Sequence, residues 1–316
     1  MISFLTIIIG IVLALISTLC FNMAIIFQKK GLIEGPEIVF DEGVNGIVKA
    51  FKKFFRNKWW MAGAVLGVFG WFPYIFSIGS VGIIITEPVM GIGIVVFVFA
   101  AVILLKEQVT WFEYMALGLL AISPVLIALA RIKKVNIDFN QLIFPLSLFL
   151  LIVVSGSVLC FIIAKIKKDT SLEALFIMFT GSTLFATGGV FTNILAQALI
   201  QAEVKITWYI LFEIGFGILW GDFYHTWVFI GFWGMATFNL SSFVFYQSGL
   251  QKGKALVMYP ILDSFALVIP IIAGLFVFQQ TFENYILFFI ATGMIFVGIL
   301  ILSRFQAEIE KMDKNE

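Results

Sequence analysis

A stretch of about 20 apolar residues has one stable way to cross a bilayer core about 30 Å thick, an α-helix that satisfies its own backbone hydrogen bonds. Nine such stretches divide this chain, at approximately residues 2–27, 59–80, 83–105, 112–130, 142–164, 172–200, 226–248, 255–278 and 284–303. The fold class that follows is an all-α polytopic membrane protein. Composition agrees, since 61% of the 316 residues are apolar and 12% charged, where soluble domains carry roughly 25% charged residues. Cys20 and Cys160 fall inside apolar runs and read as small hydrophobes. The first run is too long for a signal peptide and has no basic segment before it, so it is expected to stay as a span.

Residues 206–222, ITWYILFEIGFGILWGD, are apolar but short, with Glu213 in their middle. Lys and Arg placement decides their role, because cytoplasmic loops carry the excess. With nine spans and 206–222 outside the bilayer core, 16 of the 20 Lys and Arg fall on one side and 4 on the other. If 206–222 crosses, the split becomes 11 to 9. The first arrangement is expected, with the N-terminus outside, the C-terminus cytoplasmic, and 206–222 an interfacial or re-entrant helix on the outer face of a plasma-membrane protein. The loop 28–58 is basic, and Val44 to Phe55 spaces apolar residues against Lys49, Lys52, Lys53 and Arg56. That pattern suits either a short helix on an anionic leaflet or a solvated connector.

The stretch from Ile83 to Tyr114 has an outline that recurs from Val257 to Tyr285. Each begins with a proline near an acid, Glu87 with Pro88 and Pro260 with Asp263, and each reaches a polar exit nineteen residues after the proline, at Glu107 and Gln279. Thr110 and Thr281 follow, and each copy leads into a Gly-containing span ending at Arg131 or Arg304. Under the topology above the two copies run in opposite directions. Inverted repeats mark secondary transporters, whose substrate sites lie near the midplane between halves. The expected halves are 1–131, with four spans, and 132–304, with five, followed by a charged cytoplasmic tail at 305–316.

An ionisable group at the bilayer centre costs roughly 2.5–3.5 kcal/mol, so it is kept mainly where it has a partner or a task. Glu87 and Asp263 are the two acids well inside spans, and no Lys or Arg lies deep in any span. Pro88 and Pro260 each leave the carbonyl four residues earlier without its helical donor, at Ile84 and Leu256. Carboxylates with free carbonyls form an all-oxygen setting that suits a hard cation such as Mg²⁺, so both acids are candidate contacts for a transported ion. Further candidates are Asn22, Thr86, Asn193, Gln197, Asn239, Gln247 and Tyr259, each of which serves equally as an interhelical hydrogen-bonding group. Trp71, Tyr74, Trp233 and Tyr246 are candidate cavity walls. Gly63, Gly67, Gly91, Gly93, Gly181, Gly188 and Gly189 mark close helix contacts. His225, beside Asp222 and Tyr224, reads as structural. No HExxH, CxxC or Walker motif is present, so neither enzymatic nor ATP-driven chemistry is expected.

The run FNMAIIFQKKGL, the basic loop after it, KWWMAGAVLGVFG, and a Pro-containing span closing on LLKEQVT resemble the NIPA-type magnesium transporters of the drug/metabolite transporter superfamily, as does YQSGLQKGKALVMYPI more loosely. The resemblance implies an EamA-like fold whose first half is one helix short, and transport of Mg²⁺ or a related divalent cation. Superfamily members carry varied cargo, so a proton-coupled exporter of small organic cations or metabolites is the alternative. The position before the span-3 proline, commonly small or hydroxylated in that superfamily, is Glu87 here. Expected partners are the lipid bilayer and a transported cation or small molecule, with a homodimer left open. No cofactor and no nucleic acid is expected.

Overall fold

A computed structural model describes residues 4–81, 86, 89–90, 93–130, 137–204, 209–279, 281 and 283–313. They form eleven α-helices and no strand among the described residues: α1 (Phe4–Glu34), α2 (Gly43–Phe54), α3 (Lys58–Val81), α4 (Gly93–Leu104), α5 (Trp111–Leu129), α6 (Ile143–Ile166), α7 (Ser171–Gln201), α8 (Ile210–Phe216), α9 (Phe223–Lys252), α10 (Ala255–Phe276) and α11 (Tyr285–Asp313). Seven of these, α1, α3, α6, α7, α9, α10 and α11, are long and apolar enough to cross a membrane, so the chain is a polytopic helical membrane protein. Of the other expected spans, α5 is shorter, and 83–105 is represented by α4 and falls partly outside the described residues.

The segment after α7 holds only a short helix among its described residues, and 205–208 lie outside them. α8 has seven residues and a single 3₁₀ turn follows it, Gly217–Trp220, so at 1.5 Å per residue α8 spans about 10 Å. Asp222 caps α9 by accepting from the Tyr224 and His225 amides. The His225 ring nitrogens lie 3.0 Å from Asp222 and 3.1 Å from Glu213 carboxylate oxygens, and the ring stacks on Trp220. This fastens 209–222 onto the start of α9 and gives the lone histidine a structural task.

Helices pair antiparallel through small residues. α1 lies along α3, where Ser17 Oγ donates to the Gly70 carbonyl (2.9 Å) and Ser77 Oγ to that of Gly10 (2.9 Å). α7 lies along α9, where Ser242 Oγ donates to the Gly181 carbonyl (2.7 Å). A Cβ at Gly181 would sit 2.7 Å from the Tyr246 amide nitrogen, so only glycine permits that approach. α5 lies along α11, where the Asn284 amide donates to the Ala130 carbonyl (3.1 Å). α5 opens with a capping box: the Glu113 carboxylate accepts from the Thr110 amide (2.7 Å), and the Glu113 amide donates back to Thr110 Oγ1 (3.4 Å). α11 is capped instead by Asn284, whose Oδ1 accepts from the Leu287 amide, so Thr110 and Thr281 do not do the same job.

The stretches FQKKGL, LLKEQVT and YQSGLQKGKAL meet at one end of the bundle. Lys29, 5% exposed, donates from Nζ to the carbonyls of Leu250 (2.6 Å), Gly253 (2.7 Å) and Gln251 (3.1 Å) at the end of α9. The Glu107 carboxylate accepts from the amides of Ala255 (2.8 Å) and Leu256 (3.0 Å) at the start of α10. A cation thus sits on a helix C-terminus and an anion on the next helix N-terminus, the favourable sense for both helix dipoles. Burial pushes the Glu107 carboxyl above its ordinary range, while the two amides and the Lys29 and Lys254 charges oppose that shift. Gln251 adds bonds to Leu32, Pro36 and Ile38, tying the loop after α1 to α9.

Candidate functional site

Two adjoining cavities, of about 410 and 380 Å³, lie between α1, α3, α7, α9 and α10 and share the walls Phe21, Phe185, Tyr259 and Asp263. The first is also lined by Thr18, Asn22, Trp71, Tyr74 and Met90, with α4 and α5 contributing to it. The second adds Gln28, Asn239, Ser242, Phe243 and Tyr246. Asp263 follows Pro260 by three residues on α10 and is an exposed side chain at the junction of the two lobes. Neither lining includes Lys or Arg among the described residues.

The polar walls are held by local bonds. Thr18 Oγ1 donates to the Met90 carbonyl (2.8 Å), and Asn22 Nδ2 donates to the Thr18 carbonyl (2.8 Å) and Oγ1 (3.1 Å). Gln28 Oε1 accepts from Tyr246 Oη (2.5 Å) and Gln247 Nε2 (2.7 Å), and Gln247 Oε1 accepts from Trp60 Nε1 (3.0 Å). This buried chain joins α1, α3 and α9, and its members satisfy one another where water is excluded. Trp71, Tyr74 and Phe21 meet edge to face with centroids 5.7–6.3 Å apart. Tyr259 packs 4.8 Å from Phe97 of α4.

Of the candidates named from sequence, Asn22, Trp71, Tyr74, Asn239, Tyr246, Tyr259 and Asp263 come together around these lobes. Gln247 stands behind the wall in the buried chain. Thr86 is buried, with its hydroxyl 2.9 Å from Ser77 Oγ. Asn193 and Gln197 are half-buried on α7 and flank Ile194 and Ala198 of a second core cluster. Trp233 is 46% exposed and donates from Nε1 to the Gly215 carbonyl (2.8 Å), so it braces α8. Glu87, its neighbour Pro88 and Gly91 lie outside the described residues.

Thr18, Gln28, Ser242, Phe21 and Phe185 are lining residues that sequence reasoning did not single out. Helices that are apolar all round do not reveal which face turns inward, and single polar residues are the available signal. Thr18, four residues before Asn22, offered one such signal. Among the described residues, no group of three His, Cys, Asp or Glu gathers to hold a metal ion. One carboxylate, several amides and hydroxyls and four or more aromatic faces can attract a cation and lodge it without a rigid chelate. Comparison with protein-family models, with curated proteins and with solved structures finds no match.

Proposed function

We propose that the protein is a carrier that moves cations across a membrane by alternating access, with Asp263 as the charged contact. The observation that carries this reading is the pair of central lobes meeting at one carboxylate with no Lys or Arg in their described lining. The nine-span arrangement with inverted halves is part of the proposal. It draws support from paired packing: α1 with α3 and α4 is matched by α7 with α9 and α10, and α5 pairs antiparallel with α11. Lys106 and Gln279, at the exits of the two repeat copies, both have positive φ, 57° and 52°. α6 is then the helix that the first half lacks. The Lys and Arg distribution supports an external N-terminus and a cytoplasmic C-terminus in a plasma membrane.

Mg²⁺ is the cargo that the NIPA-type resemblance favours. This ion keeps several of its waters when bound, and either lobe has room for a hydrated ion beside one carboxylate. The walls of Trp71, Tyr74, Phe21 and Tyr259 favour a second reading, a small organic cation exchanged for protons on Asp263.

Flux into proteoliposomes decides both. Wild-type protein is expected to carry Mg²⁺, and Asp263→Asn to lower that flux about tenfold or more, the equivalent of losing at least ~1.4 kcal/mol of contact. Asp263→Glu should recover part of the flux. Uptake of tetraphenylphosphonium against a proton gradient, without Mg²⁺ flux, selects the second reading. Wild-type rates for both cargoes in Asp263→Asn would refute the site.

A further inference from the structure

α2 has two faces with different tasks. Its inner face carries Gly46, Ala50 and Phe54, all buried, with Phe54 stacked near Trp60 (6.2 Å) and Phe51 5.6 Å from Phe243, a wall of the second lobe. Its outer face exposes Val44 (74%), Val48 (44%) and, just past the last turn, Phe55 (60%). Beside them Lys49, Lys52, Lys53 and Arg56 are exposed.

No Asp or Glu occurs from Gly43 to Thr86, and none of these four cations makes an ion pair among the described residues. Other lysines at this end do have acids: Lys165 and Lys168 pair with Asp41, Lys252 with Glu37 and Glu173, and Lys254 with Glu113. Glu37 and Glu42 share a small surface pocket with Lys49 and Lys53 without pairing with them, and Lys52 and Arg56 lie outside it, so net positive charge remains on one helix face. That helix joins the end of α1 to the start of α3, both long enough to span, which puts it at the level of a membrane surface.

We infer that the outer face of α2 is a docking surface for anionic phospholipids of the leaflet it faces. Val44, Val48 and Phe55 enter the headgroup region, and the four cations meet lipid phosphates, the combination that holds amphipathic helices on charged membranes. Large exposed apolar side chains among cations distinguish this surface from a solvated connector, which gains nothing by presenting them to water. Through Phe51 and Phe243, lipid docked here also braces the floor of the second lobe.

The test compares full-length protein in nanodiscs of phosphatidylcholine alone and of phosphatidylcholine mixed with phosphatidylglycerol. Amide hydrogen exchange across 44–55 should slow roughly tenfold or more in the anionic discs, as several surface cations acting together imply. The slowing should vanish in K49Q/K52Q/K53Q/R56Q, shrink in V48S/F55S and weaken at high salt. Inorganic phosphate added to neutral discs should not reproduce it, which separates a leaflet from a free anion. Equal exchange in the two bilayers, or full slowing in the quadruple variant, overturns the inference and leaves this face to an acidic soluble partner. Neither outcome depends on what the protein transports.

Discussion

Replacing Lys29 with methionine is expected to destabilise the protein by about 3–5 kcal/mol, the cost typical of removing one partner from a buried charged cluster. Lys30→Met, one residue along, should cost less than about 1 kcal/mol. The two lysines differ in their surroundings. Lys30 is half-buried, with Nζ 3.8 Å over the Trp59 ring. Lys29 is buried and satisfies three carbonyls that would otherwise end α9 without donors. Methionine keeps the apolar stem but supplies no donor, so those carbonyls and the nearby Glu107 carboxylate lose their compensating charge. Glu107→Gln should cost less, because an amide oxygen still accepts from one of the Ala255 and Leu256 amides, which the two carboxylate oxygens take separately. Thermal unfolding of full-length protein in detergent, followed by monodispersity, ranks the variants. A Lys29→Met protein that melts together with Lys30→Met would remove this lysine from the account of how the helices close at this end.

FQKK presents those two lysines as equals, and charge counting used both as markers of one side. What separates them is the return of α9 against α1, a contact more than 200 residues away in sequence. Hydropathy located the seven long helices because bilayer burial acts on each stretch separately. It could not give the facing of helices that are apolar on every side, so Asn22, Asn193, Asn239 and Gln197 looked alike although only Asn22 and Asn239 line a lobe. Trp71 and Trp233 were likewise equivalent on paper. One lines a cavity and the other donates to Gly215, since an indole N–H takes whichever acceptor packing brings near. The capping box Thr110-x-x-Glu113 is a local signal that sequence reasoning passed over, since Thr110 was read only as part of the repeat.

Gly93→Val is expected to destabilise the protein by about 2–4 kcal/mol, an overpacking cost with lost interhelical hydrogen bonds added to it. Gly93 opens α4 where it crosses α1, and any Cβ there would overlap Thr18 Oγ1 and Asn22 Nδ2. Those atoms already hold the Thr18–Met90 and Asn22–Thr18 bonds, so relief requires either breaking them or moving α4 outward. Thr18, Asn22, Met90 and Ile94 all line the first lobe, so the same substitution should reshape the cavity and lower flux as well as stability. At Gly118, Gly156 and Gly293, all inside helices, an added Cβ would meet nothing within 4 Å. Alanine at these three should be neutral or stabilising by up to about 1 kcal/mol, the helix-propensity difference. A Thr18→Ala change removes the clashing hydroxyl, so Gly93→Ala should cost less in that background than in wild type. A double-mutant cycle on thermal unfolding measures this coupling. Additive effects of Thr18→Ala and Gly93→Ala would mean that α4 does not approach α1 at this glycine, and the first lobe would lose the wall that defines it.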